Sequence, residues 1–139
     1  MGDMLTTSGD LYTWVMKSGE TTLYKNCFAI MNTSSQGECK RPPATALVTD
    51  RPVGILQEDS LAAGYPGSFQ KTGLATAVIS ESVSIGDRLV ISAVTGRVKP
   101  LEEDSDTSGI AIVGCACSAG TTAGDEIVIQ LTPDMLFHS

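Results

Sequence analysis

Few residues of this 139-residue chain are of types that could do chemistry: four cysteines, one histidine and one acidic run. Thiolate zinc sites are usually assembled from C-x-x-C pairs. Cys27, Cys39, Cys115 and Cys117 offer no such pair, and positions 115 and 117 on a strand share a face without a chelating bite. They read as small apolar residues, the alternatives being a disulfide at Cys27 or Cys39 and a metal site. His138 lies one position from the end of the sequence, where holding an imidazole beside a nucleophile would need special anchoring. In Glu102-Glu103-Asp104-Ser105-Asp106 the carboxylates of Glu102, Asp104 and Asp106 alternate as hard-cation ligands could. The run lacks the central glycine and distant glutamate of a calcium loop, so it reads as a solvated loop. Phosphate-loop, zinc-protease, nucleophile-elbow and dinucleotide motifs are absent from the sequence. The expectation is a protein with no catalytic residue, no cofactor and no metal.

The order of the remaining residues describes a frame. Val53-Gly54-Ile55-Leu56-Gln57 leads to Ala63-Gly64, and Val113-Gly114-Cys115-Ala116-Cys117 leads to Ala123-Gly124. Gly86-Asp87-Arg88-Leu89-Val90-Ile91 echoes Gly124-Asp125-Glu126-Ile127-Val128-Ile129. Each unit reads as a tight turn launching a strand: glycine accepts a positive φ, aspartate bonds neighbouring amides, and branched apolar residues suit a pleated surface.

Composition sets the limits of function. With 42% apolar and 18% charged residues, the chain can build a core, and its surface must rely on small polar residues. A net charge of −7 repels phosphate backbones and anionic lipid, which argues against nucleic-acid and membrane partners. No apolar run reaches the ~20 residues of a membrane span, and the first residues lack the features of a secretory signal, so the chain reads as soluble and intracellular when made. Aromatic residues are only 5%, which leaves few platforms for sugar rings.

Short apolar runs bounded by turn residues recur, and helical periodicity does not. The reading is all-β: a small barrel with an N-terminal arm or extension over residues 1–50 and a core over 51–139. Strands are expected near 11–16, 22–31, 44–49, 53–57, 68–78, 88–92, 97–99, 110–116 and 126–131. Gly19 and Val94-Thr95-Gly96 are expected in hairpin turns, residues 32–43 in an extended junction, and Pro133 at the end of the last strand. Tyr12, Trp14, Tyr24 and Phe28 crowd into the N-terminal portion. With Lys40 and Arg41 they are the candidate protein-contact residues, since aromatic and basic side chains anchor interfaces; the alternative is that the aromatics cap one end of the domain's own core and the two cations are solvated.

The succession Arg51-Pro52-Val53-Gly54-Ile55-Leu56-Gln57, Ala62-Ala63-Gly64, Gly73-Leu74-Ala75-Thr76-Ala77-Val78, Gly86-Asp87-Arg88-Leu89-Val90, Gly96-Arg97-Val98, Ile112-Val113-Gly114, Ala123-Gly124 and Val128-Ile129-Gln130-Leu131 resembles the small capsid decoration (cement) proteins of tailed bacteriophages. The resemblance covers about residues 51–133. It implies a small barrel or tulip-like β protein on the outer surface of a phage head. Its partner would be the major capsid protein and its state a homotrimer, stabilising the shell against internal DNA pressure after synthesis in the host cytoplasm. The competing expectation is another phage structural protein or a carbohydrate-binding β-domain, such as a tail or fibre component.

Overall fold

The computed structural model describes residues 13–19, 22–34, 36–57, 59–102, 106 and 108–137, with backbone alone for 13–17, 48 and 132–137. Its strands are β1 (Thr13–Ser18), β2 (Phe28–Met31), β3 (Glu38–Lys40), β4 (Pro52–Leu56), β5 (Pro66–Gln70), β6 (Gly73–Val78), β7 (Arg88–Ile91), β8 (Val98–Pro100), β9 (Ala111–Ala116) and β10 (Glu126–Phe137). A 3-10 turn spans Val48–Asp50, and there is no α-helix among the described residues. The all-β expectation holds.

Two sheets share one plan. The first, in the order β1-β3-β2-β4-β5, closes into a barrel because β5 pairs antiparallel with β1, which itself runs parallel to β3. The second has the order β6-β10-β9-β7-β8. Each strand of the first sheet has a counterpart in the second about sixty positions on. β2 pairs with β4 through Ala29↔Gly54 and then slips register, as β7 pairs with β9 through Leu89↔Gly114 and then slips. Hairpin β2–β3 matches β7–β8, and β1 on β5 matches β6 on β10. Where β1 and β3 close the first barrel, the second has the single parallel bridge Ile79↔Val98, so it is the same ring left open on one side.

Four turns enforce this plan. Asn26, Gly64, Gly86 and Gly124 have φ of 61°, 90°, 92° and 96°, and the next residue's amide closes each turn onto Tyr24, Ala62, Ser84 or Thr122. The two glycine-aspartate pairs act as expected: Asp87 Oδ2 accepts the Ser84 amide at 2.8 Å and Asp125 Oδ2 the Thr122 amide at 3.1 Å. The turns meet in pairs through the bridges Leu23↔Leu61 and Val83↔Gly120.

Strand alternation then divides the core. Leu23, Ala29, Cys39, Val53, Leu56, Leu61 and Phe69 fill the closed barrel. Phe28, Ile30 and Ile55 point the other way, into a larger cluster with Ala77, Ile79, Leu89, Ile91, Val98, Ile127 and Ile129 of the open sheet. Each of its buried Phe, Ile, Leu and Val side chains contributes roughly 1.5–3 kcal/mol, so this shared cluster is the main bond between the two units. A third cluster, Val90, Ile110 and Ile112, lies under Leu47 and Leu101.

Several expectations change. The sheet runs through position 50: β2 pairs with β4, and three strands before residue 51 complete the first barrel. β3 lies inside the expected junction. The run 44–49 supplies one bridge, Leu47↔Ile110, before the 3-10 turn. Asp50 captures the Leu47 amide at 2.8 Å, and this local closure prevails over β propensity. The expected strand 68–78 is two strands in different sheets, broken before Gly73, which has φ 85°. Gly19 opens no hairpin with β2, and its amide donates to the Cys39 carbonyl at 2.9 Å. The turn at Gly96, φ 92°, does join β7 to β8. β10 continues past Pro133 to Phe137, because a register irregularity between Leu131 and Leu136 absorbs the residue that cannot donate.

Candidate interaction surface

The fold separates the candidate contact residues. Tyr24 precedes the Asn26 turn and Arg41 follows β3, and antiparallel pairing of β2 with β3 brings them together. Arg41 Nε donates to the Thr22 carbonyl at 2.7 Å and Nη2 to Tyr24 Oη at 2.9 Å, and its guanidinium carbon lies 5.1 Å from the ring centroid. These contacts hold a planar cation and a half-exposed phenol as one preorganised patch. Lys40, on β3, is exposed beside it. Phe28 is a correction: it is 3% exposed and packs in the core shared by the units, so it cannot contact another protein. β1 places the Trp14 backbone opposite Phe69. The Trp14 side chain and all of Tyr12 lie outside the described residues.

Sequence reading passed over other exposed apolar side chains. Tyr65 is 64% exposed in the turn that bridges to the Tyr24 turn, and Ile85 is 71% exposed in the second unit's counterpart of the Tyr24 turn. Leu74 on β6 and Val128 on β10 are exposed on adjacent strands, with Val128 opposite Thr76 and Leu74 opposite Gln130. A positional signal existed for three of them: Ile85 stands immediately before, and Tyr65 and Leu74 immediately after, a glycine of positive φ, where the chain turns away from the core.

Several of the described chemistry-bearing groups are engaged in structure. None of the four cysteines is in a disulfide. Burial pushes the Cys27 thiol up to about 11, with Glu126 adding to the rise and Arg97 opposing it, and pushes Cys39 up to about 12. Both are therefore protonated near neutrality and weak as nucleophiles or ligands. Cys115 is half-buried and Cys117 exposed at the end of β9. Asp106 accepts Lys99 Nζ at 2.9 and 3.1 Å and the Glu102 amide at 2.8 Å, so its carboxylate is already neutralised and hydrogen-bonded. Among the described residues no group of three His, Cys, Asp or Glu is placed to hold a metal ion. Glu103, Asp104 and His138 lie outside the described residues.

No protein-family profile and no curated protein matches the chain. Its fold is similar to a solved structure described as the head fiber gp8.5 N base in bacteriophage phi29, with a TM-score of 0.62 and 10% sequence identity over 89% of this chain and 96% of that one. The likeness is one of fold.

Proposed function

We propose that this chain is a structural virion protein of a bacteriophage, a decoration protein. It would bind the major capsid protein on the outer surface of the head between capsomers, as a homotrimer, and stabilise the shell against internal DNA pressure. The observation that carries the reading is the fold shared, over nearly the whole of both chains, with a head fiber base. The chemistry agrees with a binding role. The preorganised Tyr24–Arg41 patch and the exposed Tyr65 suit protein contact, whereas the buried thiols and the Asp106–Lys99 pair are already satisfied. A clamp needs only a stiff body and several contacts, because linking modest interfaces in one oligomer raises effective concentration and multiplies affinity ~100-fold or more. The acidic net charge suits a position away from the packaged genome.

The same comparison favours a second reading, a fibre component of the head, in which the domain is the base that seats a longer appendage. One experiment addresses both. Purified protein is mixed with undecorated expanded heads and followed by sedimentation and electron microscopy. A decoration protein fills regular local threefold sites and raises the temperature at which the heads rupture, whereas a fibre base binds the heads without stabilising the shell. Failure to sediment with heads removes both. Tyr24→Ala with Arg41→Ala is expected to weaken head binding about tenfold or more; unchanged binding takes that patch out of the interface.

A further inference from the structure

The two units share one plan but meet asymmetrically, which leaves two matching surfaces open. Inside the chain, the β7–β8 hairpin of the second unit sits on the start of β2 in the first. The Phe28 amide donates to the Gly96 carbonyl at 2.9 Å, and a Cβ on Gly96 would overlap the Phe28 backbone. Both sides are buried: Phe28 is 3% exposed, its pairing partner Ile55 is 0% exposed, and Gly96 is buried. The counterpart socket in the second unit is the start of β7, where Arg88 pairs with Cys115 in the register that Phe28 has with Ile55. There Arg88 is exposed, Cys115 is only half-buried and Ile85 stands out beside them. The counterpart tip is the β2–β3 hairpin, whose Gly37 has φ 72° as Gly96 has 92°. That tip, with Thr33, Ser34 and Gln36, is open.

We propose that the β2–β3 hairpin of one copy docks on the Arg88–Cys115 face of a second copy, repeating between chains the contact that joins the two units within a chain. The occupant follows from continuity with that internal interface, since tip and socket are each the structural counterpart of a surface already buried. The substitutions fit a contact that must also exist open. Phe28 and Ile55 in the permanent socket are replaced by Arg88 and Cys115 in the open one, and the polar hairpin ending in Glu38 meets a cation. Such a contact is head-to-tail: tip and socket differ, so each added copy leaves one of each unused until the assembly closes on itself. The proposal concerns the purified chain and does not rest on the virion reading.

The test introduces Gln36→Cys in the full chain, mixes ¹⁴N- and ¹⁵N-labelled protein, and treats it with a short bismaleimide, which adds to accessible thiols. Native Cys115 and Cys117 are the expected partners, because buried, protonated Cys27 and Cys39 react slowly. Mixed-isotope peptides joining position 36 to 115 or 117 are expected, and Arg88→Glu should weaken association in sedimentation at least about tenfold. Thr33→Cys repeats the test from a second point of the tip, and circular dichroism verifies the fold of each variant. A chain monomeric at all concentrations, or oligomers lacking the 36–115 and 36–117 adducts and indifferent to Arg88→Glu, would overturn the proposal.

Discussion

A glycine's role here depends on what surrounds its missing Cβ. Gly54 has φ 134° and lies against β5, where a Cβ would overlap the Gln70 carbonyl, while Gly124 has φ 96° and open space around it. Gly54→Ala is therefore expected to cost about 3 kcal/mol or more, and Gly124→Ala about 1 kcal/mol, in urea unfolding. Equal costs would show that conformation alone matters. The buried thiols give a pH signature. Below their ordinary value of 9.0 both are protonated in the folded and unfolded chain. As pH rises past 9 the unfolded chain releases protons that the folded chain retains, so stability falls between about pH 9 and 11 for Cys27 and on to about 12 for Cys39. Cys39→Ala should flatten that fall in alkaline denaturation even though it leaves a small cavity; an unchanged slope would place the titration elsewhere.

Elements are held by a few strategic contacts. The acidic loop looked solvated in sequence, yet the Lys99 and Asp106 side chains are only 18% and 13% exposed, and their pairing ties the loop to β8 while Asp106 also takes the Glu102 amide. Removing one member of such a pair leaves a poorly solvated charge, so Asp106→Ala is expected to destabilise by about 2–4 kcal/mol, with little dependence on salt. Loss of under about 1 kcal/mol would mark it as an ordinary surface pair. By contrast, Lys25–Asp59, at 3.6 Å with both side chains well exposed, should contribute almost nothing.

For the molecule as a whole, the two units are alike in plan and unequal in independence. The first closes on itself, while the open second sheet borrows Phe28, Ile30 and Ile55 to complete its core. Residues 72–137 expressed alone should therefore aggregate or bind a hydrophobic dye. Phe28→Ala in the full chain should cost about 3–5 kcal/mol in thermal or urea unfolding, as a large core truncation does. A soluble, cooperatively folded second half would show that the shared cluster is dispensable.

Class and most of the frame were legible in the residues alone. Glycine-aspartate turns and short branched runs admit no helical alternative, and the Val-Gly repeats at 53 and 113 mark the counterpart strands β4 and β9. These are local signals, carried by backbone conformation and a two-residue period. The pairing was settled by long-range contacts: that β1 runs parallel to β3, that 68–78 crosses from one sheet to the other, and that Phe28 faces inward while Tyr24 and Arg41 meet outside. A strand's two faces are identical in sequence pattern whether one looks into a barrel and the other into a second sheet, or one looks into water. Which face meets water is fixed by the neighbour that arrives, and that neighbour is far away along the chain.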